Sequence, residues 1–110
     1  MAARFALEEP EALDGLVLMG AYSAEGDDLS ALELPTLVLG AERDALAALA
    51  EVEAGLRRLP PGAEFALVPG AVHSFFGRYG PQRGDGTPTV SRAEAEAEIL
   101  AHLRTFFAAF

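Results

Sequence analysis

The sequence contains no cysteine, which excludes disulfide bonds, thiolate metal sites and a cysteine nucleophile and leaves the redox compartment open. Basic residues are scarce: eight stand against seventeen acidic ones, for a formal net charge of -9. The summed field repels nucleic-acid phosphates and anionic membrane surfaces, so neither is expected as a partner. The acidic side chains are spread over loops and helices, and solubility accounts for them better than an acidic binding face does. The first ten residues, MAARFALEEP, hold no long apolar core and carry Glu8 and Glu9. They read as neither a signal peptide nor a membrane span, and a cytoplasmic location is the default expectation. An internal repeat is absent, and so is any linker that would split the chain in two.

The chain has 110 residues, of which 51% are apolar. That fraction demands a core and rules out wholesale disorder, while the length suits one domain or part of one, taken here as a single, partial domain over residues 1–110. Ala2 to Glu9 has helical composition and stops at Pro10; with no capping residue before it, it reads as the continuation of an element that starts elsewhere. Leu16, Val17, Leu18 and Met19, between Gly15 and Gly20, form a continuous apolar run of the kind a parallel strand buried on both faces requires. Ala21 to Glu33 is polar and acidic; its Glu25, Gly26, Asp27 and Asp28 lack the donor spacing of a calcium loop, and no metal site is assigned.

A second apolar run, Thr36 to Leu39, ends at Gly40. Leu46, Leu49, Val52, Leu56 and Leu59 then recur at three- and four-residue steps, predicting an amphipathic helix over Ala45 to Leu59 stopped by Pro60 and Pro61. Glu64 to Val68 is the third strand, so Thr36 to Val68 makes a right-handed βαβ unit with a parallel pair. Gly77 to Thr89 is a turn-rich loop, of a length that is often functional. Ser91 and Glu94 fit a capping box, and Ile99, Leu103, Phe106 and Phe110 lie on one stripe of the last helix.

The stretch from Phe65 to Gly80, FALVPGAVHSFFGRYG, organises the rest: an apolar strand, a glycine turn, a lone histidine and an aromatic loop. His73 follows the third strand by a few residues and Asp44 follows the second, so parallel pairing puts both at the carboxyl edge of the sheet, where open α/β sheets bind ligands. A carboxylate beside an imidazole holds its tautomer and stabilises the imidazolium formed in general-base catalysis. Each residue also has a plainer use, Asp44 as a helix N-cap before Ala45 and His73 as a structural loop histidine.

The segments GLVLMGAY, LPTLVLGAERDALA and FALVPGAVHSFFGRYGPQRGDGTPTVSRAEAE, in that order, resemble the carboxyl-terminal part of an α/β-hydrolase fold, three parallel strands with flanking helices. More narrowly, the loop Gly70 to Gly86 is similar to the G-x-x-H-x-x-F-G-x-Y-G-P-Q-x-G-D-G loop of a bacterial subgroup related to dienelactone hydrolases. The resemblance implies a serine hydrolase of ester or lactone bonds with Asp44 as triad acid and His73 as base. It implies no cofactor and no metal, and a small ester-like molecule as substrate. Ala71 departs from the second glycine of many relatives.

The family's nucleophile sits in a G-x-S-x-G elbow before the acid and the histidine. Ser23, Ser30, Ser74 and Ser91 are the serines here, and none is flanked by glycines in that pattern. By the same resemblance Met1 to Glu9 aligns with the helix that follows the elbow, so the serine and the earlier strands are expected outside this sequence and the 110 residues alone are expected to be inactive. The alternative is a noncatalytic half-domain that has kept hydrolase-like residues as scaffold. Three strands buried on both faces leave an open edge beside the first, predicting a homo-oligomer or pairing with a partner chain through that edge. A third reading has the loop from Tyr79 to Thr87 bind a small ligand without chemistry.

Overall fold

The computed structural model describes residues 2–78 and 80–110; Met1 and Tyr79, the latter part of the histidine loop, lie outside the described residues. Helix α1 (Ala2–Glu8) leads through a 3-10 turn at Pro10–Ala12 into strand β1 (Leu16–Met19), followed by β2 (Thr36–Ala41), helix α2 (Leu49–Gly55), β3 (Glu64–Val68) and helix α3 (Arg92–Phe107). The three strands form one parallel sheet in the order β1-β2-β3.

Successive side chains of a strand point to opposite faces, and here that alternation sorts the apolar residues into two cores. Leu16, Leu18 and Val38 face one side, with Phe65 at its margin, and pack with Ala3 and Ala6 of α1 and Val52 of α2. Leu37, Leu39, Ala41 and Val68 face the other and pack with Ala95, Ile99 and Phe106 of α3. Both faces of β2 are therefore covered, which explains an apolar run with no polar alternation. Leu39, Val38, Val52 and Val68 are among the largest fully buried side chains, each worth roughly 1.5–3 kcal/mol of burial.

The third strand and the capping box follow the sequence expectation: Ser91 Oγ accepts the Glu94 N–H at 3.1 Å while the Glu94 carboxylate accepts the Ser91 N–H at 3.2 Å. Three details differ. Strand β2 continues through Gly40 to Ala41, because its register with β3 pairs Gly40 with Leu67 and Ala41 with Val68. The helix expected over Ala45 to Leu59 begins only at Leu49 and gives way to a 3-10 turn at Leu56–Arg58. Its predicted first turn is diverted by Asp44, whose Oδ1 accepts the Leu46 and Ala47 N–H groups at 2.8 and 2.7 Å and fixes a non-helical turn. Phe110 lies beyond α3 and is 57% exposed, joining the aromatic cluster with Phe106 and Phe107 instead of the buried stripe.

The acidic loop has structural partners: Asp27 accepts a hydrogen bond from Arg4 Nε at 2.8 Å and Asp28 accepts the Ser30 N–H at 2.9 Å. Among the described residues no group of three or more His, Cys, Asp or Glu side chains is placed to hold a metal ion, and no helix is long and apolar enough to cross a membrane.

Candidate active site

The carboxyl ends of β2 and β3 run on as two turns laced to each other. Glu42 N–H donates to the Val68 carbonyl at 3.1 Å, Arg43 N–H to the Ala71 carbonyl at 2.8 Å, and Gly70 N–H to Glu42 Oε1 at 2.8 Å. Gly70 supplies the left-handed backbone, φ 70°, that turns the chain out of β3. Ala71 is fully buried and has no positive φ, so the departure from a second glycine leaves this turn intact.

These turns bring Asp44 and His73 together: Asp44 Oδ2 lies 2.8 Å from His73 Nδ1. A carboxylate oxygen accepts hydrogen bonds, so the contact selects the tautomer with the proton on Nδ1 and leaves Nε2 as the acceptor nitrogen. The Asp44 side chain is 1% exposed and that of His73 22%, an orienting anion sealed beneath an imidazole that still reaches solvent. Both expectations for Asp44 meet in one side chain in modified form: Oδ1 caps a turn, though not the helix, while Oδ2 addresses the histidine.

His73 opens a 3-10 turn, His73–Phe76, whose own preceding residue Val72 offers no side-chain cap. Asp85 caps it from the glycine-rich loop, its carboxylate accepting the His73 N–H at 3.1 Å and the Ser74 N–H at 2.9 Å. Burial by itself raises the Asp85 carboxyl, but hydrogen bonds from the Ser74, Gly86, His73 and Ala45 amides outweigh it and hold the group below the ordinary aspartate value. At the other end of the turn Arg92, the first residue of α3, donates to the Gly77 carbonyl at 2.6 Å and the Ser74 carbonyl at 3.2 Å and sits 5.0 Å from the centre of the Phe75 ring. An anion at the amino end and a cation at the carboxyl end match the polarity of the turn.

Sequence reasoning placed Asp44 and His73 but passed over Asp85 and Arg92 as parts of the site. The available signals were an aspartate between Gly84 and Gly86, and an arginine just inside a capped helix that follows the histidine loop. None of the four serines is hydrogen-bonded to the His73 ring among the described residues: Ser23 is buried and accepts from Arg58, Ser91 caps α3, Ser74 shares the histidine turn and Ser30 is exposed. Phe76 meets the imidazole edge-on, ring centres 6.5 Å apart, and helps to line a groove of about 310 Å³ with Met19, Phe75, Ile99, Leu100 and Leu103.

A parallel sheet covered on both faces, with an aspartate and a histidine paired at its carboxyl edge, defines an α/β protein with a carboxylate–imidazole pair at the usual ligand-binding end of its sheet. The chain matches the family model described as "Alpha/beta hydrolase family" over residues 1–97, and it belongs to that family. No curated protein matches it.

Proposed function

We propose that these 110 residues are the carboxyl-terminal part of a serine hydrolase domain of the kind related to dienelactone hydrolases, cleaving ester or lactone bonds in a small cytoplasmic substrate. Asp44 is the acid and His73 the base; the nucleophilic serine comes from sequence outside these residues. The observation that carries the reading is the Oδ2–Nδ1 contact of 2.8 Å, made by a carboxylate whose other oxygen is already held by two backbone amides. An aspartate pinned in this way cannot rotate away, so the imidazole is presented in one tautomer. Nε2 then takes the proton of the attacking serine and returns it to the leaving group, while Asp44 stabilises the imidazolium in between.

A fluorophosphonate probe applied to the full-length gene product tests the reading. The expected result is label on a serine outside these 110 residues, abolished by His73→Ala, with the isolated 110 residues unlabelled. Label on Ser23, Ser30, Ser74 or Ser91, or labelling indifferent to His73, overturns it.

A second reading is favoured by a different observation. Among the described residues strand β1 pairs only with β2, and Met19 at its end is 39% exposed beside Leu100 at 47%. A noncatalytic half-domain would use that edge to bind a second copy or a partner chain. Sedimentation separates the two: the half-domain predicts a stable dimer of the full-length product with no probe-reactive serine.

A further inference from the structure

We propose that Asp85 is a positioning residue that fastens the histidine turn to a loop seated on the acid turn and thereby sets the Asp44–His73 geometry. The proposal rests on the acid–base reading of that pair. Three backbone amides converge on the Asp85 side chain, two of them from the histidine turn. Oδ1 accepts the His73 and Gly86 N–H groups at 3.1 and 2.8 Å, and Oδ2 accepts the Ser74 N–H at 2.9 Å. The loop that carries Asp85 also lies on the acid turn, with Gly86 packed against the Arg43 carbonyl. Arg43, beside Asp44, and His73 itself are thus tied to the same short loop, His73 through the Asp85 carboxylate.

The surrounding loop is built to bring that group in. Gly84 has φ 85°, and Asp85 N–H donates to the Gln82 carbonyl at 3.2 Å, turning the chain back over the site. A β-carbon on Gly86 would overlap the Arg43 carbonyl oxygen, so only glycine lets the loop lie directly on the acid turn. Arg43 Nε then donates to the Thr87 carbonyl at 2.6 Å and closes the loop from the other side.

Asp85 is neither a ligand site nor a second base. Its oxygens are taken up by backbone donors, and it makes no hydrogen bond to the His73 ring among the described residues. A carboxylate suits the position because it offers acceptors only; an asparagine would turn an NH2 group toward amide donors. The lacing at the base of the turns, from Arg43 to Ala71 and from Gly70 to Glu42, fixes the strand ends but not the residues beyond them.

The test is proton NMR of the 110-residue chain. In the wild type the His73 Nδ1 proton, held against Asp44, should give a far-downfield resonance that Asp44→Ala removes. In a folded Asp85→Ala protein that resonance should broaden or vanish. Amide exchange at His73 and Ser74 should rise by about tenfold or more, as expected for the loss of a charged acceptor, with exchange at Val38 and Leu39 unchanged. Asp85→Asn, keeping one acceptor oxygen, should fall between. A downfield resonance unchanged in Asp85→Ala overturns the proposal. Failure of both variants to fold also overturns it, making Asp85 a folding determinant. Absence of the resonance in the wild type instead overturns the Asp44–His73 reading on which the proposal rests.

Discussion

Gly20, the residue that follows β1, lies against the His73 imidazole so closely that a β-carbon built on it would stand 2.9 Å from Nδ1, the atom that faces Asp44. Its φ of 59° is left-handed, and the same β-carbon would meet the Phe76 ring at 3.0 Å. Gly20→Ala should therefore do two things at once. It should cost about 1–3 kcal/mol of stability through backbone strain, and it should push the imidazole off Asp44. Chemical denaturation measures the first, and loss of the downfield His73 proton signal the second. A variant as stable as the wild type, with that signal intact, would refute the contact.

The two oxygens of Asp44 have separable duties, which two substitutions distinguish. Asp44→Asn retains an oxygen able to accept from Leu46 and Ala47 but no longer offers His73 a pure acceptor. Stability should change little, while turnover by the full-length hydrolase should fall by on the order of 10⁴-fold, the effect of the wrong imidazole tautomer. Asp44→Ala should lose activity comparably and, in addition, about 1–3 kcal/mol of stability from the stranded Leu46 and Ala47 amides, the second of them buried. Equal stability of the two variants would argue that Oδ1 holds nothing.

What the sequence made legible follows from the range of the interactions involved. Strands β1, β2 and β3 are announced by short apolar runs because both faces of the sheet are covered, and the cap of α3 because Ser91 and Glu94 are three residues apart. The 2.8 Å pairing of Asp44 with His73 was anticipated at the level of the shared sheet edge, since parallel strands carry their following turns to the same side. The late start of α2 was not, because periodicity in Leu46, Leu49 and Val52 is blind to a side chain that captures the Leu46 and Ala47 amides. Asp85 was invisible for a related reason: its partners, His73 and Ser74, lie 12 and 11 residues back and become neighbours only when the glycine loop folds over.

Acid should unfasten the Asp85 contacts. Its carboxyl is held below its unfolded value, so the stability it contributes is present above the unfolded pKa of about 4 and is lost as pH falls through the lower folded value. The wild type should lose stability on acidification below about pH 4, and Asp85→Ala should show a shallower dependence over that window. Urea midpoints taken across the acid range measure the difference. Parallel profiles for the two proteins would mean that the loop carboxylate titrates alike folded and unfolded.

Helix α3 supplies Arg92, so weakening its start should reach the histidine turn. Ser91→Ala removes the acceptor of the Glu94 N–H and should cost about 1 kcal/mol. Arg92→Met removes the donors to the Gly77 and Ser74 carbonyls while keeping an apolar stem beside Phe75. It should accelerate amide exchange within residues 73–77 more than in the sheet. Uniform acceleration throughout the protein would show that Arg92 acts through global stability alone.

The β1 edge should set the behaviour of the isolated 110 residues in solution. An edge strand offers a row of backbone donors and acceptors on its open side, and here Met19 and Leu100 add an apolar margin beside it, so self-association of this chain by itself is expected. A lysine on such an edge places a charge that must be desolvated before a second strand can dock. Met19 is 39% exposed at the end of β1, so a lysine there can extend into water without disturbing either core. Met19→Lys should therefore shift the sedimentation profile toward monomer while leaving the denaturation midpoint, measured under monomeric conditions, within about 0.5 kcal/mol of the wild type. A wild-type chain that sediments as a monomer at every concentration would remove the edge from consideration. A Met19→Lys protein that associates as strongly as the wild type would place the contact on another surface.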